Sequence, residues 1–148
     1  MKERVIALGF FDGVHLGHGA LLRRTVEEAA RRGCTPALFT YDRPPKEVVT
    51  GIPCPLINSP EDRRDLARRL YGIRDVLMVP FDHEMMTTSW EDFITEILVG
   101  RYHAVHLVAG HDHHFGHKNQ GSPELLAEKC RELGLGCDII PKVEVAGI

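Results

Sequence analysis

The stretch VIALGFFDGVHLGHGALLRRTVEEAARRG, residues 5–33, is the strongest indication of the fold in this sequence. It begins with the apolar run VIALG (5–9), which is typical of a buried strand that ends in a glycine turn. Residues 18–32 carry apolar side chains at helical spacing, and Gly33 follows them as a C-terminal cap, so they predict a helix. The apolar positions of this helix are Leu22, Val26, Ala29 and Ala30. A strand that leads through a glycine-rich loop into a helix predicts the first βα unit of a parallel sheet.

The same alternation continues along the chain. Further apolar runs, each typical of a buried strand, lie at residues 36–41, 75–81, 103–110 and 137–141. Helix starts are indicated by a capping serine followed by proline or acidic residues. These starts are SPED (59–62), SWED (89–92) and SPELL (122–126). Five strands separated by four helices predict a Rossmann-like α/β fold, a doubly wound parallel five-stranded sheet with helices on both faces.

Two of these helices show a predicted buried face. In the helix after SPED, Leu66 and Leu70 are expected to face the core, and the arginines around them to face solvent. Those arginines are Arg63, Arg64, Arg68 and Arg69. After SWED, the apolar residues at helical spacing are Phe93, Ile94, Ile97 and Leu98.

The predicted fold also places the ligand site. In a doubly wound sheet, ligands bind at the carboxyl ends of the strands. The loops that leave those ends follow Gly9, Tyr41, Phe81 and Gly110. The last loop contains GHDHHFGHK (110–118) with its four histidines, so this stretch is predicted to lie on the ligand-binding edge.

Composition argues against several classes of protein. The 148 residues suffice for one domain, and a formal net charge of −3 disfavours sequence-independent contact with nucleic acid. No apolar run reaches the roughly 18 residues that a membrane span needs. No secretory signal is present and no two cysteines are spaced as CxxC, so we expect reduced thiols in a cytoplasmic protein. The cysteines are Cys34, Cys54, Cys130 and Cys137.

The loop after the first strand has the features of a phosphate site. GFFDGVHLGHGALL (9–22) places His15 and His18 at the start of the first helix, where unpaired amides and the helix dipole favour an anion. Two imidazoles add donors that can carry charge. The stretch is not a P-loop, and Leu22 stands where a dinucleotide fingerprint has its third glycine. A purely structural role, with His15 in a turn and His18 as a helix cap, is the alternative.

The same loop resembles the HxGH signature of the nucleotidylyltransferase superfamily. Its FDG version resembles the adenylyltransferase domain of bacterial FAD synthetase, the bifunctional riboflavin kinase/FMN adenylyltransferase. FTYDRPP (39–45) is similar to the family's TF-x-P-x-P loop, and VAGHDHHFGHKNQGSPELL (108–126) to its G-x-D-F-x-F-G block. The segments around SPED and SWED match as well, so the resemblance covers essentially the whole chain. The sequence departs from the family pattern at Phe10, Arg43, His113 and His114.

The resemblance implies transfer of the adenylyl group of ATP to FMN, giving FAD and pyrophosphate. His15 and His18 would contact the ATP phosphates and stabilise the transition state, with Mg²⁺ bridging phosphate oxygens and no metal site built from protein ligands. The implied nucleotide-binding residues are Gly9, Phe10, Phe11, Gly13, His15, Gly17 and His18. The implied flavin-binding residues are Tyr41, Pro45, Phe81, Asp112 and Phe115. Asp12 is expected to hold the turn by an Asx-type bond.

The sequence ends at VEVAGI (143–148). The resemblance leads one to expect a Ser-Ser-Thr-x-x-Arg segment and a riboflavin kinase domain beyond this point, and neither is present. Residues 1–148 are therefore predicted to form one nucleotidylyltransferase domain, either as part of a longer protein or as a short paralogue.

Three other functions stay open. The chain could be another nucleotidylyltransferase that uses CTP or a different phosphate acceptor, or a non-catalytic relative that binds a nucleotide. It could also be a metal-binding or hydrolytic module, since imidazole is a common ligand of transition metals. That module would be built on His111, His113, His114 and His117.

Overall fold

A five-stranded, all-parallel sheet lies at the centre of the protein, in the strand order β3-β2-β1-β4-β5. The computed structural model describes residues 2–9, 16–43, 49–52 and 60–141, and only the backbone of residues 16–18 and 60. The strands are β1 (Arg4–Leu8), β2 (Thr35–Tyr41), β3 (Asp75–Val79), β4 (Ala104–Gly110) and β5 (Gly136–Ile140). In the centre of the sheet, Ile6 pairs with Ala37 of β2 and with Leu107 of β4. The predicted Rossmann-like α/β fold is confirmed.

The helical segments between the strands follow the predicted alternation. They are α1 (Leu16–Arg32), α2 (Pro60–Tyr71), α3 (His83–Thr87), α4 (Trp90–Asp92), a π-helical segment (Phe93–Arg101), a 3₁₀ turn (His117–Asn119) and α5 (Pro123–Leu133). Ser89 and Ser122 cap α4 and α5 as predicted, each accepting a hydrogen bond from the amide three residues on. Ser59 lies outside the described residues, and the short helix α3 was not predicted. Of the helices described, none is both long and apolar enough to cross a membrane.

Both faces of the sheet are covered, because successive residues of a strand point to opposite sides. On one face, Val5 and Ala7 of β1 pack in a buried cluster with Leu22 of α1 and Ala67 of α2. The other face packs against the π-helical segment and α5. Its buried cluster includes Ile6, Leu8, Phe39, Ile94, Leu98, Leu107 and Leu126.

The first helix matches its prediction apart from one residue. Leu22 and Ala29 are buried and Val26 is half-buried, but Ala30 is exposed. Gly33 ends the helix in a left-handed conformation, with φ +70°, as its role as a C-terminal cap predicts.

Helix α2 is rotated relative to its prediction. Leu70 is 59% exposed and Leu66 is only half-buried, whereas Arg63 and Ala67 are fully buried. Arg63 turns inward because its guanidinium donates hydrogen bonds to oxygens at the end of β2. The prediction that Arg63 faces solvent is therefore wrong, although Arg64, Arg68 and Arg69 are exposed as expected.

The segment after α4 differs from its prediction in helix type. All four predicted apolar residues are buried, namely Phe93, Ile94, Ile97 and Leu98. The backbone from Phe93 to Arg101 is nevertheless π-helical, with hydrogen bonds that span five residues instead of four. The apolar spacing thus indicates which residues are buried without revealing the wider turn.

A group of charged side chains, here named the α1 charge cluster, lies between α1 and the strands β4 and β5. Its members are Arg24, Glu28, Arg31, Arg32, His106 and Asp138. Glu28 is buried, and its hydrogen bond from Arg31, with that from Arg32, lowers its pKa to about 2. His106 is also buried, with Nε2 2.8 Å from Asp138 Oδ2 and Nδ1 3.8 Å from Glu28 Oε1. Opposite charges therefore face each other within this cluster.

Candidate functional site

The carboxyl ends of four strands surround a cavity of about 210 Å³, here named the edge cavity. Its walls come from the ends of β1 and β2, from the segment after β3 and from the histidine-rich loop after β4. The lining residues are Leu8, Gly9, Phe39, Tyr41, Phe81, Phe93, His113, His114, Phe115, Gly116 and Asn119. Gly9, Tyr41, Phe81 and the loop after Gly110 therefore meet at one edge, as predicted. Residues 10–15 and 44–48 of the first two loops lie outside the described part of the chain. The cavity lies where β1 separates β2 from β4, the position at which doubly wound sheets bind ligands.

Aromatic rings make up much of the cavity wall. Tyr41 packs edge-to-face against Phe81, with ring centroids 4.8 Å apart, and against Phe39 at 5.5 Å. Phe39 in turn contacts Phe93 at 5.3 Å. Burial raises the pKa of the Tyr41 phenol, so this wall is uncharged. An interlocked set of rings offers a rigid apolar surface to a flat ligand.

Arg63 fixes the end of β2 from beneath this wall. Its guanidinium donates to Thr40 Oγ1 at 3.0 Å, to the Tyr41 carbonyl at 2.9 Å and to the Asp42 carbonyl at 3.4 Å. Asp42 then accepts a hydrogen bond from the Phe81 amide through Oδ1, at 3.2 Å. Arg63 thus holds the two chain segments that carry Tyr41 and Phe81. No pattern in the sequence separates Arg63 from the other arginines of its helix.

The histidine-rich loop is anchored at both ends. The His111 amide donates to Ile140 O, and the His117 amide donates to Thr88 O at 2.8 Å. Between them, Phe115 and Gly121 form an isolated antiparallel bridge with two backbone hydrogen bonds. These contacts hold the loop against the cavity.

Close packing at one position of this loop requires glycine. Gly116 has φ +78°, and a Cβ atom there would lie 2.6 Å from the Trp90 Cα. Two and three residues farther on, Lys118 and Asn119 also adopt positive φ, at 56° and 54°. Left-handed conformations in non-glycine residues are uncommon, and they concentrate at functional loops.

The four histidines of the loop do not converge on one point. The His113 ring stacks on Phe115 inside the cavity, whereas His114 is exposed and its Nδ1 bonds the Asp112 carbonyl at 3.0 Å. Within residues 2–9, 16–43, 49–52 and 60–141, no three His, Cys, Asp or Glu side chains are grouped so that they could hold a metal ion.

The predicted site residues fall into three groups. Gly9, Tyr41, Phe81 and Phe115 line the edge cavity, and Asp112 lies in the adjoining loop with its side chain exposed. Gly17 and His18 lie in the first turn of α1, where only the backbone is described. The residues outside the described part of the chain are Phe10, Phe11, Asp12, Gly13, His15 and Pro45. Their predicted roles stay predictions.

Several lining residues were not predicted as site residues. The sequence pattern predicts Phe39 and Phe93 only as parts of a strand and a helix, and no motif marks Asn119, yet all three line the cavity. His113, at which the sequence departs from the family pattern, lies in the wall of the edge cavity.

Comparison with known proteins agrees with this geometry. The family model for FAD synthetase matches residues 1–148. A "Bifunctional riboflavin kinase/FMN adenylyltransferase" from Listeria monocytogenes is 34% identical over 128 residues, which cover 85% of this chain and 40% of the relative. The enzyme of the same name from Escherichia coli strain K12 is 33% identical over 132 residues, covering 88% and 42%. The chain thus spans less than half the length of these curated relatives.

A solved structure supports the fold independently. The crystal structure titled as a macrolide-efflux protein from Streptococcus pneumoniae superposes with a TM-score of 0.81 at 24% identity, covering 98% of this chain and 47% of that one. At that identity the likeness concerns the fold alone. The family match, in contrast, extends over the full sequence, including the loops that form the edge cavity. This chain belongs to the FAD synthetase family.

Proposed function

We propose that this protein transfers the adenylyl group of ATP to FMN, forming FAD and pyrophosphate. The observation that carries the proposal is the edge cavity, an aromatic-walled cavity at the carboxyl edge of the sheet in a chain of the FAD synthetase family. The names of the related enzymes support FMN as the acceptor. A flat, largely apolar isoalloxazine ring is a suitable occupant for such walls.

On the flavin side, Tyr41, Phe81 and Phe115 would supply the contact surface. Tyr41 stays protonated because burial raises its pKa, so it can pack against the ring without bringing a charge into the cavity. The hydrogen bonds from Arg63 hold Tyr41 and Asp42 in place before the ligand arrives. Pro45 and Asp112 complete the proposed flavin contacts.

On the nucleotide side, the N-terminus of α1 would face the ATP phosphates. No acidic residue lies in the first turn of this helix, so the positive end of its dipole would favour an anion. His15 and His18 would neutralise charge on the phosphates, while Gly17 and the loop from Gly9 to Gly13 would allow close approach of the backbone. Mg²⁺ would arrive with ATP as part of the substrate, held by phosphate oxygens and water.

The proposed reaction needs alignment more than covalent chemistry. A terminal phosphate oxygen of FMN attacks the α-phosphorus of ATP, a new P–O bond forms, and the bond from the α-phosphorus to the bridging oxygen breaks. Pyrophosphate leaves with the electron pair of that bond. The protein's contribution is to bring the two phosphates together and to stabilise the charge of the transition state.

The direct test is an assay with ATP, magnesium and FMN that measures FAD and pyrophosphate by chromatography. Riboflavin, pantetheine phosphate and glycerol phosphate serve as competing acceptors, and CTP as a competing donor. We expect His15→Ala and His18→Ala each to lower kcat/KM by about a hundredfold, the effect of removing charge-assisted contacts made in the transition state. His83→Ala, on the exposed surface of α3, is the matched control and should leave the rate unchanged.

Three results would contradict the proposal. A product with another acceptor but no FAD would assign a different nucleotidylyltransferase. ATP binding by calorimetry without any product would indicate a nucleotide-binding relative. Normal FAD formation by both histidine variants would contradict the assigned roles of these side chains.

A further inference from the structure

The wall of the edge cavity contains one ring that is both polar and stacked. The His113 ring lies nearly parallel to Phe115, at an interplanar angle of 14° and a centroid distance of 5.7 Å. Burial lowers the pKa of His113 to about 4, so the imidazole is neutral near pH 7. A neutral imidazole carries one N–H donor and one nitrogen acceptor.

The ring nitrogens of His113 differ from those of the neighbouring His114 in their hydrogen bonding to the protein. His114 uses Nδ1 to bond the Asp112 carbonyl, whereas the ring of His113 makes no hydrogen bond to the described part of the protein. The donor and the acceptor of the half-buried His113 ring are therefore available to a ligand that enters the edge cavity.

The position of His113 is fixed before any ligand binds. Its amide donates to the Gly110 carbonyl at 3.1 Å, at the end of β4. The Phe115 ring on which it stacks is held by the backbone bridge to Gly121, where a Cβ atom would lie only 2.6 Å from that ring. A preorganised donor and acceptor loses little conformational entropy when it binds a partner.

We propose that His113 is a specificity-determining residue that hydrogen-bonds a polar edge atom of the heteroaromatic ring bound in the edge cavity. The inference rests on the proposed function for the identity of that ring, the isoalloxazine of FMN. Stacking on Phe115 places the His113 ring in the aromatic wall, and its nitrogens let the wall distinguish a ring with polar edge atoms from a plain hydrocarbon surface. His113 thus contributes selectivity rather than chemistry at phosphorus.

The test compares FMN binding to the full chain and to His113→Phe, which keeps an aromatic ring but removes both nitrogens. Quenching of FMN fluorescence gives Kd without requiring turnover, and the FAD assay gives KM and kcat. We expect Kd and KM for FMN to rise about tenfold, the effect of losing one hydrogen bond to the ligand, with kcat and KM for ATP unchanged. His113→Gln, which retains a donor and an acceptor, should recover part of the affinity. His111→Phe, on the exposed part of the same loop, is the matched control.

The outcomes separate the two proposals. Weaker FMN binding in His113→Phe with partial recovery in His113→Gln supports the inference, even if no FAD forms and the proposed reaction fails. An unchanged Kd for FMN in His113→Phe, in a protein that still makes FAD, overturns the inference and leaves the proposed function standing. Equal losses in the Phe and Gln variants, accompanied by a lower Tm in both, also overturn it, because the residue would then act only through the fold.

Discussion

The α1 charge cluster and the edge cavity use polar side chains in opposite ways. In the cluster, the buried Glu28 carboxylate faces three arginines and His106, so its charge is neutralised within the protein. In the cavity, rings surround His113, whose nitrogens make no bond to the described residues. The cluster lies against the sheet on the α1 side, and the cavity lies at the carboxyl edge. The charges of the cluster are thus met by other protein groups, whereas the aromatic cavity with its polar ring is the better candidate for ligand binding.

The largest effect expected at the cavity comes from Gly116→Ala. The new Cβ atom would lie 2.6 Å from Trp90 Cα, and φ +78° adds backbone strain, so we expect unfolding free energy to fall by about 3–4 kcal/mol. Gly134→Ala is the matched control, since its φ is +75° but nothing lies within 4 Å of its added Cβ. It should cost only about 1 kcal/mol. Urea denaturation measures both, and equal losses would show that the contact with Trp90 does not matter.

Arg63→Met should cause the next-largest loss of unfolding free energy. The substitution leaves the Tyr41 and Asp42 carbonyls without their buried donor, and we expect a loss of about 3 kcal/mol together with a higher KM for FMN. Arg69→Met, an exposed member of the same helix, should change stability by less than about 0.5 kcal/mol. Denaturation curves and the FAD assay test the pair. A loss of stability with an unaltered KM for FMN would show that Arg63 supports the fold but not ligand binding in the edge cavity.

Glu28→Gln tests how much the α1 charge cluster contributes to the pH dependence of stability. The folded pKa of Glu28, about 2, lies below its ordinary value of 4.5, so the ionised group stabilises the folded protein above pH 4.5. That contribution is lost as pH falls from about 5 toward 2. We therefore expect Glu28→Gln to be less stable near neutral pH and to lose less stability on acidification than the unaltered protein.

The matched control for this change is Glu27→Gln, an exposed neighbour in α1. The stability of Glu27→Gln should fall with decreasing pH in the same way as that of the unaltered protein. Thermal unfolding from pH 7 to pH 3 gives the comparison, and KM for FMN should be the same in all three proteins. Parallel acid profiles for Glu28→Gln and the unaltered protein would contradict the assignment.

Tyr41→Phe should give the smallest change. The ring contacts with Phe39 and Phe81 remain, and the phenol makes no hydrogen bond to the residues described. We expect Tm to shift by less than about 2 °C, the size associated with a few tenths of a kcal/mol. Calorimetry checks this value. A clear rise in KM for FMN with an unchanged Tm would instead assign the hydroxyl a direct contact with the ligand.

The parts of the fold that could be predicted are those that short sequence patterns determine. Apolar runs, capping serines and Gly33 act over a few residues, so the strands and the starts of α4 and α5 follow from the sequence. The order of the strands in the sheet was not predicted. The burial of Arg63 depends on oxygens more than twenty residues away in the chain, at Tyr41 and Asp42, and no local pattern reports it. The π-helical turn is equally hidden, because the same apolar residues suit an ordinary helix.

The candidate site was predictable in position but not in detail. Parallel strands bring the loops after Gly9, Tyr41, Phe81 and Gly110 together, and this follows from topology alone. Both His113 and His114 line the cavity, but only the three-dimensional packing shows that His113 stacks on Phe115 while His114 bonds the Asp112 carbonyl. The roles of His15 and His18 still rest on the motif, since their side chains lie outside the described part of the chain.

Because the edge cavity draws its walls from four strand ends, it should exist only when the whole sheet has formed. Two of its walls, at Gly9 and Phe115, are far apart in the chain and become neighbours through the pairing of β1 with β4. A ligand that fits the cavity would then be linked to global folding, and a hundredfold excess over Kd would raise the unfolding free energy by about 2.7 kcal/mol. Occupancy would in this way protect the domain from proteolysis, and ligand supply would influence how much of the protein a cell retains.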